Sequence, residues 1–213
     1  MAILVSFVSV GAALADTVRL TTAGQDAARL MIVQRVDLGS GSGWTGGPVT
    51  PTPAKAVSCP GFGPKRVELV ETGSAESYYS RDGLEFDSQA EVLKTARMVT
   101  ADWQRTIAPP HVLPCLQNEF AAHLQRGEKL VSFDRISFPK VGTQTAAFRG
   151  VIDLTATGQR VRLAVDIVLF TTGRATLDLT TTTPLSAVAT VRPAEIALTR
   201  DMLGRAESAA GIA

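Results

Sequence analysis

The sequence predicts an α+β fold: an antiparallel β-sheet, built on a meander of at least four strands, covered by three to four α-helices and stapled by one disulfide. Three observations carry this prediction. Capped segments with helical apolar spacing recur up to about residue 125. Four strand-like runs then follow one another between turn residues. Hydrophobic residues make up 45% of the 213 and charged residues 19%, enough apolar material for a core and too much for a disordered chain. One domain over residues 16–207 fits this length, after a signal segment at 1–15 and before a flexible tail at 208–213.

The opening run MAILVSFVSVGAALA carries no charge and ends in Ala13-Leu14-Ala15, the small-x-small pattern at which a secretory signal is cut. Asp16 and Arg19 end it short of the roughly 20 apolar residues that a membrane span needs. No basic residue precedes Ile3, where a signal normally carries one. No cysteine stands near position 15 to take a lipid anchor. Export follows, to a secreted or cell-envelope location, with no membrane span in the mature chain. In an oxidising compartment the two cysteines, Cys59 and Cys115, are expected to pair. Closing a loop of about 56 residues stabilises a fold by roughly 4 kcal/mol on the chain-entropy model. The alternative is two separate buried thiols.

Thr22-Ala-Gly-Gln25 has the form of a capping box and starts a helix over about 22–34. The Gly, Ser, Pro and Thr residues from 39 to 61 read as loop, and Trp44 within it reads as a hydrophobic lid or a ligand stacker. Gly41-Ser-Gly43-Trp-Thr-Gly46 matches a dinucleotide fingerprint in letters, but it follows a helix and runs into Pro48, so no nucleotide site is expected. From Arg66 the strand formers of VELVETGSAESYYS precede a turn at Arg81-Asp82-Gly83. Ser88-Gln-Ala-Glu91 reads as a second capping box, opening a long helix whose stripe is Val92, Ala96, Val99, Trp103 and Ile107. Pro109-Pro110 stops it. Pro114 opens the next helix, with Leu116, Phe120 and Leu124 buried and Gly127 as its cap.

The second half reads as strands at 130–138, 144–156, 160–171 and 175–183. With Thr157-Gly158 as a two-residue loop, Arg149 faces Asp166 and Asp153 faces Arg162 on a solvated side of the sheet. The other side collects Phe148, Ile152, Leu154, Val161, Leu163, Val165, Ile167 and Leu169. For Ala175, Leu177 and Leu179 to join that side, the loop at Gly173 must shift the register by one. Thr180–Thr183 suit an exposed edge strand. Pro193 opens a last helix.

Little here points to catalysis, and a non-enzymatic chain is expected. Asp153, Asp166 and Asp178 are the candidates for acid/base work, weakened by their facing arginines; Cys115, at a helix start, is the candidate reactive thiol. No G-x-S-x-G elbow occurs. His111, His123 and the cysteines lack the close spacing of a zinc site, so no metal and no cofactor is expected. With 21 basic and 20 acidic residues and a net charge of +1, nothing calls for nucleic acid.

In order along the chain stand a signal segment, a helix ending in Asp37-Leu38 before Gly43-Trp44, and Cys59 and Cys115 flanking a capped helix. A Gly173-Arg174 strand and a Glu195…Arg200 helix follow. Over most of residues 18–207 this resembles the secreted or cell-envelope sensor-type domains of actinobacteria, such as the extracellular domain of mycobacterial receptor Ser/Thr kinases. The resemblance implies an antiparallel sheet under helices and a binding or sensing role, with a ligand cleft between helix and sheet. The chain departs from that group in having one possible bridge where those domains tend to have two, and in lacking a kinase or membrane segment; no ligand residue carries over. The expectation is therefore a monomeric, non-catalytic binding or sensor-like protein, its partner an unknown small molecule or envelope component and its cleft lined by Trp44 and Trp103. A secreted enzyme using the meander carboxylates and a structural surface-interaction protein are the alternatives.

Overall fold

A computed structural model describes residues 17–39, 43–51, 69–156 and 159–210. Within them the chain forms β1 (Thr17–Val18), α1 (Thr22–Met31), β2 (Thr45–Val49), β3 (Val70–Arg81) and β4 (Leu84–Leu93), then α2 (Ala96–Thr106) and α3 (Val112–Ala122). The strands β5 (Glu128–Arg135), β6 (Gln144–Ala156), β7 (Gln159–Thr172) and β8 (Ala175–Pro184) follow, and α4 (Val188–Ala210) closes the chain. One sheet holds all eight strands in the order β1-β3-β4-β8-β7-β6-β5, with β2 also on the outer edge of β3. Every pair is antiparallel except β1 with β3.

The architecture follows from alternation. A strand sends successive side chains to opposite faces, and β4 reads Glu85, Asp87, Gln89 and Glu91 against Phe86, Ser88, Ala90 and Val92. The apolar series joins Tyr79, Leu177, Leu179, Val168 and Phe170 on the face covered by α1 and α4, where Ala28, Met31, Leu198 and Met202 complete the core. On the opposite face, α2 and α3 bring Trp103, Ile107, Leu116 and Phe120 onto Phe133, Phe148, Ile152, Val165, Ile167 and Leu169. A second, separate core results. The half of that face formed by β3, β4 and β8 carries the acidic series instead.

Close approach of α1 to β3 depends on two glycines. A Cβ on Gly24 would lie 2.2 Å from the Thr72 carbonyl oxygen, and one on Gly73 would lie 2.0 Å from that of Gly24. The register slips between Glu71 and Gly73, and Gln25 Oε1 accepts from the Ser74 N–H at 2.7 Å. Across the same layer the chain leaving α1 is pinned by a buried polar knot: Val33 N–H donates to Ser88 Oγ at 2.8 Å and Ser77 Oγ donates to the Val33 carbonyl at 2.9 Å.

Several expectations match. The β6–β7 register pairs Arg149 with Asp166 and Asp153 with Arg162, Asp82-Gly83 make the β3–β4 turn with positive φ of 51° and 80°, and the four later strands lie within a few residues of where the turns placed them. Others are corrected. The cap of α1 is Thr21, whose side chain accepts from Gly24 N–H, one residue before the predicted box. Ser88–Glu91 is strand, not a helix start, because its alternation serves both faces of β4; α2 begins after Thr95. Part of the predicted 39–61 loop is β2, paired to β3 through Gly46 and Gly47.

α3 ends at Ala122 with His123 as its cap, short of Gly127. The β7–β8 loop is an even two residues, Thr172 pairing with Ala175, so no register shift occurs and Leu177 and Leu179 face α1 and α4. Thr180–Thr183 are buried because β8 lies between β4 and β7 at the centre of the sheet, not at its edge. Pro193 sits inside α4, which starts five residues earlier and runs through Ala210. The signal segment and Cys59 lie outside the described residues. No helix among the described residues is long and apolar enough to cross a membrane.

Candidate functional site, an acidic sheet face

The residues singled out from sequence do not come together. Trp44 is 6% exposed and packs on Phe86, centroids 5.5 Å apart, in the α1–α4 core. Trp103 is 8% exposed in the α2–α3 core on the other side of the sheet. No shared cleft is lined by both. Cys115 is buried in the first turn of α3.

The meander aspartates separate in the same way. Asp166 accepts both Arg149 Nε at 2.5 Å and Arg149 Nη2 at 2.6 Å, and also Arg192 Nη2 of α4 at 2.8 Å. Asp166 is buried and its two arginines are half-buried, not on a solvated face as expected, and the network ties α4 to the sheet. Glu195 next to it is pushed up to about 7, chiefly by burial and then by the Asp166 charge. Asp153 is enclosed by Arg160 and Arg162, with Arg162 Nε at 2.7 Å, and hydrogen bonding to Arg162 leads in holding its carboxyl down at about 2. Both aspartates are spent on structure. Asp178 points through the opposite face, so the three cannot form one acid/base centre.

Asp178 belongs to a group that the sequence reading missed. Antiparallel pairing of β3, β4 and β8 sets Tyr78 opposite Asp87, Asp87 opposite Thr180, Gln89 opposite Asp178 and Glu85 opposite Thr182. Glu76 and Glu91 share this face, each engaged in further interactions. Among the described residues no basic side chain is ion-paired with Glu85, Asp87 or Asp178.

The electrostatics reflect that imbalance. Asp178 is 5% exposed; burial raises its carboxyl well above the ordinary range, and the charges of Asp87 and Glu76 add to the effect. Asp87 is pushed up to about 7, by burial first and then by Glu76 and Glu85. Burial also raises Glu85, against a hydrogen bond with Tyr78, and lifts the Tyr78 phenol to about 12 with help from the Glu85 charge. Asp87 Oδ1 and Glu85 Oε2 are shut away from solvent without a hydrogen-bond donor. Carboxylate oxygens in that state are costly unless something donates to them. On the same side of the sheet α2 approaches β4 and β8; its Asp102 is raised to about 6 by burial despite Arg105.

Two other spaces are less promising. The void among Ala27, Met31, Val92, Ala175 and Ala206, between the helices and the sheet, measures about 10 Å³, room for one water at most. An open groove of about 600 Å³ runs over the surface between α1 and α4, past Leu30, Val36, Arg200, Asp201 and Arg205. Arg205 in its floor is committed to Asp37 through two 2.9 Å contacts.

No protein-family model matches the chain, and no curated protein matches it. Among solved structures it is similar to an uncharacterised protein of Mycobacterium smegmatis, the Rv0999 ortholog, at 13% identity over 84% of this chain and 97% of that one, TM-score 0.44. It is also similar to LpqN of Mycobacterium tuberculosis, involved in cell envelope biogenesis, at 13% identity over 79% and 86% with TM-score 0.33. A third is PA94 of Pseudomonas aeruginosa, of unknown function, at 19% identity over 57% and 74% with TM-score 0.30. None of these three is a receptor kinase domain. Likenesses this distant assign neither family nor function, and the chain's own residues carry the functional reading.

Proposed function

We propose that the chain is an exported, non-catalytic binding or sensor-like protein of the cell envelope, and that the acidic face of β3, β4 and β8 is its binding surface for a cationic ligand. The carrying observation is Asp178, nearly enclosed, facing Asp87 and Glu76, with no ion pair to a described basic residue. A fold that buries a carboxylate without a partner gives up stability at that place. Binding surfaces do this because the ligand supplies the missing charge. Two of the candidate catalytic carboxylates, Asp153 and Asp166, have arginine partners elsewhere, which favours binding over catalysis.

Export rests on Ala13-Leu14-Ala15, and the Cys59–Cys115 bridge is proposed with it. Cys115 is buried at a helix start and is not a free thiol, as a structural bridge requires. Mass spectrometry of the protein purified from the extracytoplasmic fraction tests these points together. The expected spectra show a mature chain beginning near Asp16, a mass about 2 Da lower than the reduced form, and a native-state adduct lost on denaturation. A full-length reduced chain retained in the cytoplasm contradicts export, and an adduct retained equally by an Asp87→Asn/Asp178→Asn variant contradicts the binding surface.

A further inference from the structure

Resting on the reading of the acidic face as a binding surface, we infer that the group it recognises is an organic ammonium, not a metal ion. The arrangement of donors decides between them. A divalent metal needs several oxygens converging at roughly 2.0–2.6 Å. Among the described residues no three His, Cys, Asp or Glu side chains converge in that way. Here the carboxylates are spread over the sheet instead. Glu85 and Asp87 are two residues apart on one strand, a spacing of roughly 7 Å. Asp178 lies diagonally across from Asp87 on β8, a separation that long side chains can still bridge.

An ammonium suits such spacing, since its N–H groups radiate in three directions and each reaches an acceptor at about 2.7–2.9 Å. Neutral groups on the face suit it too. Thr180 and Thr182 on β8 are 8% and 3% exposed, and neither hydroxyl takes a hydrogen bond from or gives one to a described residue. They are free to accept from an amine bound between Asp87, Asp178 and Glu85. Tyr78, directly across from Asp87, adds an aromatic wall against which a cation is favourable. More than one carboxylate site on the same face favours a ligand with two or more amines, whether a small polyamine or the lysine side chains of a partner polypeptide.

Calorimetric titration of the full, oxidised chain at about 150 mM salt, where long-range attraction is screened, tests this with four probes: spermidine, a lysine pentapeptide, CaCl2 and MgCl2. Saturable binding of spermidine or the pentapeptide is expected, weakened tenfold or more in Asp87→Asn and again in Asp178→Asn, with the two metal salts silent. Whichever amine binds more tightly identifies the source. Asparagine is isosteric with aspartate, and far-ultraviolet circular dichroism confirms that each variant is folded. Thr182→Val, which removes a hydroxyl and no charge, is expected to weaken the amine several-fold. If calcium or magnesium binds in an Asp87-dependent way and the amines do not, the ammonium assignment is overturned while the binding surface stands. If no probe binds, or if all bind the variants as well as the native chain, both fall.

Discussion

Replacing Asp87 by Asn should make the ligand-free protein more stable at alkaline pH. In the folded chain burial and the neighbouring Glu76 and Glu85 hold the Asp87 carboxyl at about 7, against an ordinary value of 3.8. A carboxyl whose folded value is raised keeps its proton longer folded than unfolded, so the fold loses stability as pH climbs from about 4 through 7. At about 1.4 kcal/mol per pH unit the whole penalty approaches 4 kcal/mol by pH 8. Asp178 and Glu85 relax when their neighbour changes, and about 2 kcal/mol is the recoverable share.

Each kcal/mol moves the melting temperature of a domain this size by about 2–4 °C. Thermal melts of Asp87→Asn against the native chain should therefore show a rise of roughly 4–8 °C at pH 8. The gain should shrink toward zero near pH 4, where the native carboxyl is protonated folded and about half protonated unfolded. A variant destabilised at pH 8, with a gain that does not grow with pH, would refute the reasoning, because it would mean that Asp87 is stabilised as an anion by a partner.

Gly24→Ala places a methyl 2.2 Å from the Thr72 carbonyl and should push α1 off β3, costing about 1–3 kcal/mol in urea denaturation; an unchanged midpoint would show that the helix can slide. Asp166→Ala leaves the half-buried Arg149 and Arg192 without their shared carboxylate, and a loss of about 2–4 kcal/mol, discounted from that of a fully buried pair, is expected in the same assay. Loss of the Asp166 charge also lowers Glu195, now at about 7 partly because of it, which a carboxyl-carbon titration reads directly. Cys115→Ser should lower stability by as much as roughly 4 kcal/mol relative to the oxidised native chain, and by far less when both are measured in reductant.

The meander was legible because its alternation is regular: placing Ala156 opposite Gln159 fixes the whole β6–β7 register by arithmetic, and the Arg149–Asp166 pair follows. The position of β8 was not legible. Nothing local to Ala175–Pro184 says that its free edge meets β4, a pairing across about 90 residues of chain that tertiary packing alone decides. Four consecutive threonines look like an exposed edge until that pairing buries them. The same long-range pairing builds the acidic face, since Asp178 meets Asp87 only when β8 meets β4.

One signal was present in the letters. Leu84 to Val92 alternates strictly, acidic or amide on the odd positions and apolar or small on the even ones, the period of a strand with two different faces. Ser88 and Glu91 at capping-box spacing masked it, and the helical stripe from Val92 onward strengthened the wrong reading. Trp44 and Trp103 misled for another reason: aromatic residues in a loop and on a helix suggest a cleft, but a sheet stands between these two.

The central claim is that half-buried Asp87 and buried Asp178 are carboxylates waiting for a cation. Carboxyl-carbon NMR of the two side chains, titrated from pH 3 to 9 in the ligand-free protein, measures it most directly. Asp87 titrating near 7 and Asp178 well above the ordinary range, both moving down when spermidine is added, is the predicted result. Both titrating below about 4, the range of solvated or ion-paired aspartates, would contradict it.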